Sequence, residues 1–318
     1  TPSQCETSGY RPDGRDTFVS IRGSDNERAA AKIAAFELDL LIDLNSYSNP
    51  QRLGVLAYRP ARTVAAWFNQ YATSGMRCYD YLIGDHVVIR PEEERFYTEK
   101  IERVSTTYLT YEVAYPVPPI AEAPAQSNGY VTFGCFASYY KLTPQVINAW
   151  CAILDGAPRA KLLIKNGTLA ADSNRAALLA RFTAHGIDPN RLEFEPGAPH
   201  FDYLAAYSKI DIALDPYPYN GGTTTSEALW QGVPVLCFEG DRWAARQGAS
   251  LLRAARLDEF VAADEAEYIA RAIAFGNNGV PNDRMTMRDR LAATKMMDTA
   301  GFTREMESIY RRLVRIKD

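Results

Sequence analysis

Apolar and polar positions change period many times along this chain, and the changes mark its elements. Short apolar runs read as strands in YVTFGCF, AKLLIKN, RLEFEP, IDIALDP and VPVLCF. Helical spacing fills the gaps between them: TPQVINAWCAILDGAP, DSNRAALLARFTAHG, HFDYLAAYSK, TTSEALWQG, RWAARQGASLLRAA and DEAEYIARAIAFG. Thr143 is placed to cap the first of these helices with Pro144 in its first turn, and Gly186 and Gly232 close two others. Strand–helix alternation at this spacing predicts an α/β, doubly wound parallel sheet over residues 130–285. Upstream, DTFVSI reads as a strand and DNERAAAKIAAFELD as a helix capped by Asp25 or Asn26. LLIDLNSYS has the continuous apolar run of a buried parallel strand, and TVAAWFNQY and YDYLIGDHVVI read as further strand-bearing segments. These give a partial Rossmann-like half over residues 16–114. Residues 115–129, rich in Pro, Ala and Ser, read as a linker, and residues 1–15 as an irregular tail. Residues 286–318 end in the amphipathic helix FTREMESIYRRLVRIKD.

Composition narrows the class. The chain has 318 residues, 47% hydrophobic and 23% charged, which suits a globular protein of two ordinary domains. A net charge of -4 supplies no global basic field for nucleic acid or an anionic membrane. No apolar run approaches the roughly 20 residues that span a bilayer, and the first residues lack a secretory layout. Cys5, Cys78, Cys135, Cys151 and Cys237 are widely spaced and read as reduced, mostly buried residues of a cytoplasmic protein. The histidines, His86, His185 and His200, stand near no cysteine pair, so no zinc site is expected.

One stretch asks for more than a core. DPYPYNGGTTTSEALWQGVPVL sets two glycines and three threonines directly before an amphipathic helix. In a doubly wound sheet this is the place where helix N-termini aim free N–H groups at a ligand. Gly221 and Gly222 allow close backbone approach, Thr223, Thr224 and Thr225 can donate to phosphate oxygens, and Glu227 can accept from a ribose. The competing reading is that Thr223 or Thr224 only caps the helix. Neither G-x-G-x-x-G nor G-K-[ST] is present, so a dinucleotide or P-loop site is not indicated.

The segment IDIALDPYPYNGGTTTSEALWQGVPVLCFEGDRWAARQGASLL closely resembles the nucleotide-sugar region of the O-GlcNAc transferase and SPINDLY family. The resemblance extends through RLEFEPGAPHFDYLAAY, FGCFASYYKLTPQVINAWCAIL and LIDLNSYSNPQRLGVLAYRPARTVAAWFNQYATSGMRCYDYLIGD, from about Asp16 to the C-terminus. It implies a GT-B fold, two doubly wound halves with the nucleotide-sugar cleft between them, the N-terminal half incomplete here. It implies an inverting, metal-independent glycosyltransferase without a cofactor, acting on Ser or Thr of a protein or peptide acceptor. UDP-GlcNAc is the expected donor, GDP-fucose the alternative. The family's phosphate-binding lysine falls on Lys141, which would stabilise the leaving diphosphate. Thr223 and Thr224, in the loop with Asn220, Gly221 and Gly222, would hold the diphosphate and Glu227 the ribose. Gly197, Ala198 and His200 would line the base, Tyr203 would stack on it, and Ser138 matches a position near the nucleotide. Asn45, Tyr47 and Ser48, with Thr73, Ser74 and Gly75, would face the sugar or acceptor.

The chain also departs from the family pattern. His200 stands where lysine or glutamate is usual, Tyr203 where histidine is, and Gly222 replaces a histidine of the animal enzymes. NQYATSG replaces a GYPGTSG loop. The family's tetratricopeptide repeats, which select the acceptor in a longer parent chain, and a further N-terminal segment have no counterpart here. No side chain stands out as a base. Two other readings compete: a nucleotide-binding or partner-binding module without turnover, and a GT-B-fold epimerase, whose carboxylate pair and histidine are not found.

Overall fold

The computed structural model describes residues 10, 13–281 and 283–315. Most of the expected irregular tail, with Cys5, lies outside them. The chain forms two compact units. The first runs to Pro116 and takes the chain up again at Asp298, and the second is Val117–Met297.

In the first unit, helix α1 (Asn26–Ala34) starts at Asp25, whose carboxylate accepts the Arg28 N–H at 2.8 Å. Strands β1 (Leu40–Asp43), β2 (Thr63–Ala66), β3 (Tyr81–Asp85) and β4 (Lys100–Val104) form one sheet in sequence order, every pair parallel. β2 and β3 are buried throughout, as central parallel strands should be. DTFVSI, expected as a strand, forms none: Phe18 and Val19 stand 47% and 45% exposed, so no sheet neighbour covers them. LLIDLNSYS is a strand only over its first four residues, and Ser46–Ser48 turn as a 3-10 helix. β4 was not expected, because KIERV is an edge strand of mixed polarity. The C-terminal helix (Thr299–Arg315) packs on β4 and β1. Phe302 meets Trp67 at 5.6 Å between ring centroids, Glu305 accepts the Ser105 N–H at 2.7 Å, and Arg312 pairs with Glu102.

The second unit follows the expected alternation: β5 (Thr132–Cys135), α2 (Pro144–Gly156), β6 (Lys161–Lys165), α3 (Asp172–Thr183), β7 (Leu192–Glu195), α4 (His200–Ala205), β8 (Ile212–Leu214), α5 (Thr223–Trp230), β9 (Val235–Phe238), α6 (Gln247–Ala254), the unexpected two-residue β10 (Val261–Ala262) and α7 (Glu265–Asn278). Thr143 caps α2 by accepting the Val146 N–H at 3.3 Å. Gly232, at φ +77°, ends α5, and a Cβ there would stand 2.7 Å from the Arg284 carbonyl. All strand pairs are parallel, in the order β10-β9-β8-β5-β6-β7. Winding therefore reverses between β5 and β8, and their carboxyl ends border the crevice where such sheets take ligands. Beneath it the core is aromatic: Trp150 and Tyr268 are fully buried, and the indole N–H donates to the Tyr268 hydroxyl at 3.1 Å. Among the described residues, Cys78, Cys135, Cys151 and Cys237 are buried free thiols, and no helix is long and apolar enough to cross a membrane.

Candidate functional site

The ends of β5 and β8 bring together two segments far apart in sequence. After β5 the chain makes a 3-10 turn at Tyr139–Lys141, with exposed Ser138 before it. After β8 the loop from Asp215 leads into α5, whose N-cap is Gly222; no side chain caps this helix. Neither Thr223 nor Thr224 fills the capping role, so the first-turn N–H groups keep their positive end unoccupied by protein side chains. Thr223 is exposed, Thr224 half-buried and Thr225 buried. A small cavity of about 20 Å³ lies here, lined in part by Phe136, Ala137, Pro216, Thr224 and Thr225. Gly221 is sterically required: a Cβ on it would stand 2.6 Å from both the Thr224 and Thr225 hydroxyl oxygens.

Lys141 reaches into this place. Its ammonium donates to the Asn220 carbonyl at 2.6 Å and lies 3.8 Å from the Tyr219 ring centroid. Burial lowers its pKa, and the Asp215 carboxylate opposes that shift. Asn220 is itself 1% exposed; its side-chain amide donates to the Pro216 carbonyl at 3.0 Å and its Oδ1 accepts the Gly248 N–H at 3.4 Å. Its side chain is thus engaged within the loop, while its main-chain oxygen holds the lysine.

Helix α4 supplies a second edge. His200 Nε2 lies 2.9 Å from Glu227 Oε1, and burial raises the Glu227 pKa against the pull of the histidine. The Tyr203 hydroxyl donates to the Phe136 carbonyl at 2.5 Å and its ring meets Phe136 edge-on. From the following turn, the Tyr207 hydroxyl donates to the Thr224 carbonyl at 3.1 Å. Gly197 packs on the loop after β6, where a Cβ would stand 3.0 Å from Gly167 Cα, and Ala198 is exposed beside it. The donor-side residues expected from sequence therefore gather from α4, α5 and the loops after β5, β7 and β8. Among the described residues no three His, Cys, Asp or Glu side chains gather as metal ligands would.

The residues expected on the sugar or acceptor side lie in the first unit, at the carboxyl ends of its strands. Asp43 Oδ1 accepts the Asn45 and Ser46 N–H groups at 3.0 and 3.2 Å, and the Tyr79 hydroxyl donates to Oδ2 at 2.6 Å. Ser48 is exposed at the end of this turn. The Tyr47 hydroxyl donates to the Thr73 carbonyl at 2.6 Å, joining this turn to the next loop. That loop is organised by Glu99, which sequence reading missed. Its carboxylate, 4% exposed, accepts the Thr73 hydroxyl and the Ser74 N–H, both at 2.7 Å, and also the Ser74 hydroxyl, and Thr73 Oγ1 accepts the Gly75 N–H at 3.3 Å. A larger cavity, about 420 Å³, lies next to β1, bordered by Leu41, Leu53 and Leu56 on its apolar side and by Asn45, Ser46, Arg22, Asp43 and Arg52 on its polar side. Glu99→Ala strands three polar groups at once and is expected to lower unfolding stability by about 1–3 kcal/mol. Urea denaturation reads this directly, and an unchanged midpoint would show that the loop is held by other contacts.

Comparison with known proteins matches this arrangement to one family. The model of glycosyl transferase family 41 matches residues 13–123 and 122–306. The probable UDP-N-acetylglucosamine–peptide N-acetylglucosaminyltransferase SPINDLY of Solanum lycopersicum is 34% identical over 93% of this chain and 32% of its own length. The chain thus spans about a third of the length of the curated relatives it matches. Among solved structures, a Lys-to-Met mutant of the Thermobaculum terrenum O-GlcNAc transferase superposes with a TM-score of 0.87 at 34% identity, covering 96% of this chain and 60% of that one. Anabaena HepE, at 14% identity and a TM-score of 0.58 over 98% of this chain and 89% of its own, shares the fold. The two parallel-sheet units have the GT-B architecture, and the chain belongs to glycosyl transferase family 41.

Proposed function

We propose that this chain transfers GlcNAc from UDP-GlcNAc to Ser or Thr hydroxyls of a protein, with inversion and without a metal ion. The observation that carries the reading is the convergence of a half-buried lysine and an uncapped helix start at the switch point of the second sheet. As the acceptor oxygen bonds to the anomeric carbon and gives up its proton to water, the bond to the diphosphate breaks and its electron pair passes to the phosphate oxygen. Negative charge grows there, and preorganised donors at that position lower the barrier. The Lys141 ammonium, the N–H groups of Thr223 and Thr224 and the α5 dipole are those donors. Glu227, braced by His200, accepts from the ribose, and Gly197, Ala198 and Tyr203 take the base. Asn45, Tyr47 and Ser48 with the 73–75 loop serve the sugar and acceptor side. Buried free thiols suit a reducing compartment such as the cytoplasm.

A thermal-shift panel of UDP, GDP and CMP sugars tests the reading. UDP-GlcNAc at a hundred times its Kd is expected to add about 2.7 kcal/mol of apparent stability, visible as a rise in Tm. No shift with any nucleotide would dismantle the site, a GDP-sugar preference would reassign the donor, and a shift without transfer to a peptide would mark a binding module.

A further inference from the structure

The loop that carries Gly221 and Asn220 is anchored by one carboxylate with unused capacity. Asp215, 4% exposed at the end of β8, accepts the Gly221 N–H with Oδ1 at 2.7 Å, while Oδ2 has no hydrogen-bond partner. Glycines leave it room on both sides: a Cβ on Gly248 would stand 2.5 Å from Oδ2, and one on Gly221 3.3 Å from Oδ1. A buried carboxylate left half unsatisfied is unfavourable as an anion, and such a group in a native site needs a reason.

Among the described residues its neighbours leave one charge to balance it. From β5 and β9 come the thiols of Cys135 and Cys237, and from α7 the Tyr268 hydroxyl, which donates to the Asp215 carbonyl at 3.3 Å; burial holds all three neutral. At the start of α6 the Arg246 guanidinium donates to the Gly240 carbonyl at 2.7 Å, and Gly248 brings no charge. Lys141, from the turn after β5, is the cation that acts on Asp215. Burial pushes the Asp215 carboxyl up to about 7, against the opposing pull of Gly221 and Lys141.

A diphosphate at the α5 start would engage Lys141 and leave the Asp215 carboxylate as an unpaired anion beside two more negative charges. We propose that Asp215 is a positioning residue of the diphosphate clamp, which it holds through Gly221, and that it takes up a proton from solvent when the nucleotide sugar binds, releasing the full charge of Lys141 to the phosphates. This rests on the functional reading given above. Because the folded carboxyl titrates above its unfolded value of 3.8, the folded chain holds the extra proton between about pH 4 and 7. Ligand-free stability should therefore fall as pH rises through that window and level off above it. Donor binding should weaken above neutrality, by up to about tenfold in Kd per pH unit, the limit for one coupled proton.

Calorimetric titration of the chain with UDP-GlcNAc, whose diphosphate diester does not itself titrate near neutrality, decides the matter. At pH 7.5, in buffers of different ionisation enthalpy, the wild type and His200→Gln should each take up a fraction of a proton approaching one. Asp215→Asn, which keeps an acceptor for Gly221, should take up none and show a flat Kd between pH 6.5 and 8.5. Binding without proton uptake in the wild type, uptake that survives in Asp215→Asn, or uptake lost in a His200→Gln variant that still binds would each overturn the role of Asp215. If Asp215→Asn does not fold, the wild-type and His200→Gln proton counts decide alone. Failure of every nucleoside diphosphate sugar to bind the wild type would instead overturn the functional reading.

Discussion

Lys141→Met is expected to cut sugar transfer by about 10²–10³-fold, the loss found when one donor to a developing anion is removed, or about 2.7–4 kcal/mol of barrier. The fold should lose little below neutrality, where the Asp215 carboxyl, pushed up to about 7, can hold a proton in place of its missing cation. Lys141 is held where burial disfavours its charge, and methionine keeps an apolar stem against Tyr219 without an ammonium to desolvate. The expected signature is a large fall in kcat and weaker UDP binding, with a Tm that changes little below about pH 7. Transfer assays with a peptide acceptor, run beside thermal melts of the same preparation, separate the two effects. Full activity in this variant would remove Lys141 from the mechanism.

Gly221→Ala is expected to disable the donor site by a different route. Gly221 does not adopt a positive φ, so alanine meets no backbone penalty there. The obstacle is contact: the new methyl would sit 2.6 Å from two threonine hydroxyls while Asp215 holds the Gly221 N–H in place. Overpacking of this kind costs about 1–3 kcal/mol. Relief requires Thr224 and Thr225 to turn or the start of α5 to move, and either displaces the donors meant for the diphosphate. UDP-GlcNAc affinity should fall at least about tenfold, since one lost charge-assisted hydrogen bond is worth about 1.5–3 kcal/mol. An unchanged Kd would show that the clamp is formed elsewhere.

Local patterning carried the second unit furthest. Its main strands are short apolar runs that both faces of a parallel sheet bury, and Thr143, Gly186 and Gly232 punctuate its helices in sequence. The same regularity put the NGGTTT loop at the carboxyl end of a parallel strand and before a helix start, but that β5 lies beside β8 is seen only in the fold. β4 and β10 escaped detection for opposite reasons. KIERV mixes charge into an edge strand, and a two-residue strand has no period to read. DTFVSI has the right residue types but no neighbour to pair with, and pairing is a property of the whole chain. Glu99 gave no local signal, being one acid in a polar stretch whose partners lie 25 and 26 residues away. Asp215 and Asn220 were visible in the motif, yet their work as buried braces depends on Gly248 and Ala244, which only folding brings near. The role proposed for Lys141 came from resemblance alone; for Thr223 and Glu227 the helix start itself suggested ligand contacts, and resemblance weighed against plain helix capping.

The return of the chain to its first unit at Asp298 sets an order of events during synthesis. Residues 117–297 are contiguous and can complete their sheet as soon as they leave the ribosome. The four-stranded sheet, although made first, lacks the helix that covers it until residues 299–315 emerge, with Phe302 for Trp67 and Glu305 for Ser105. A chain released before Thr299 would therefore carry a complete second unit and a first unit whose sheet lacks its covering helix, with apolar surface open to chaperones or to aggregation.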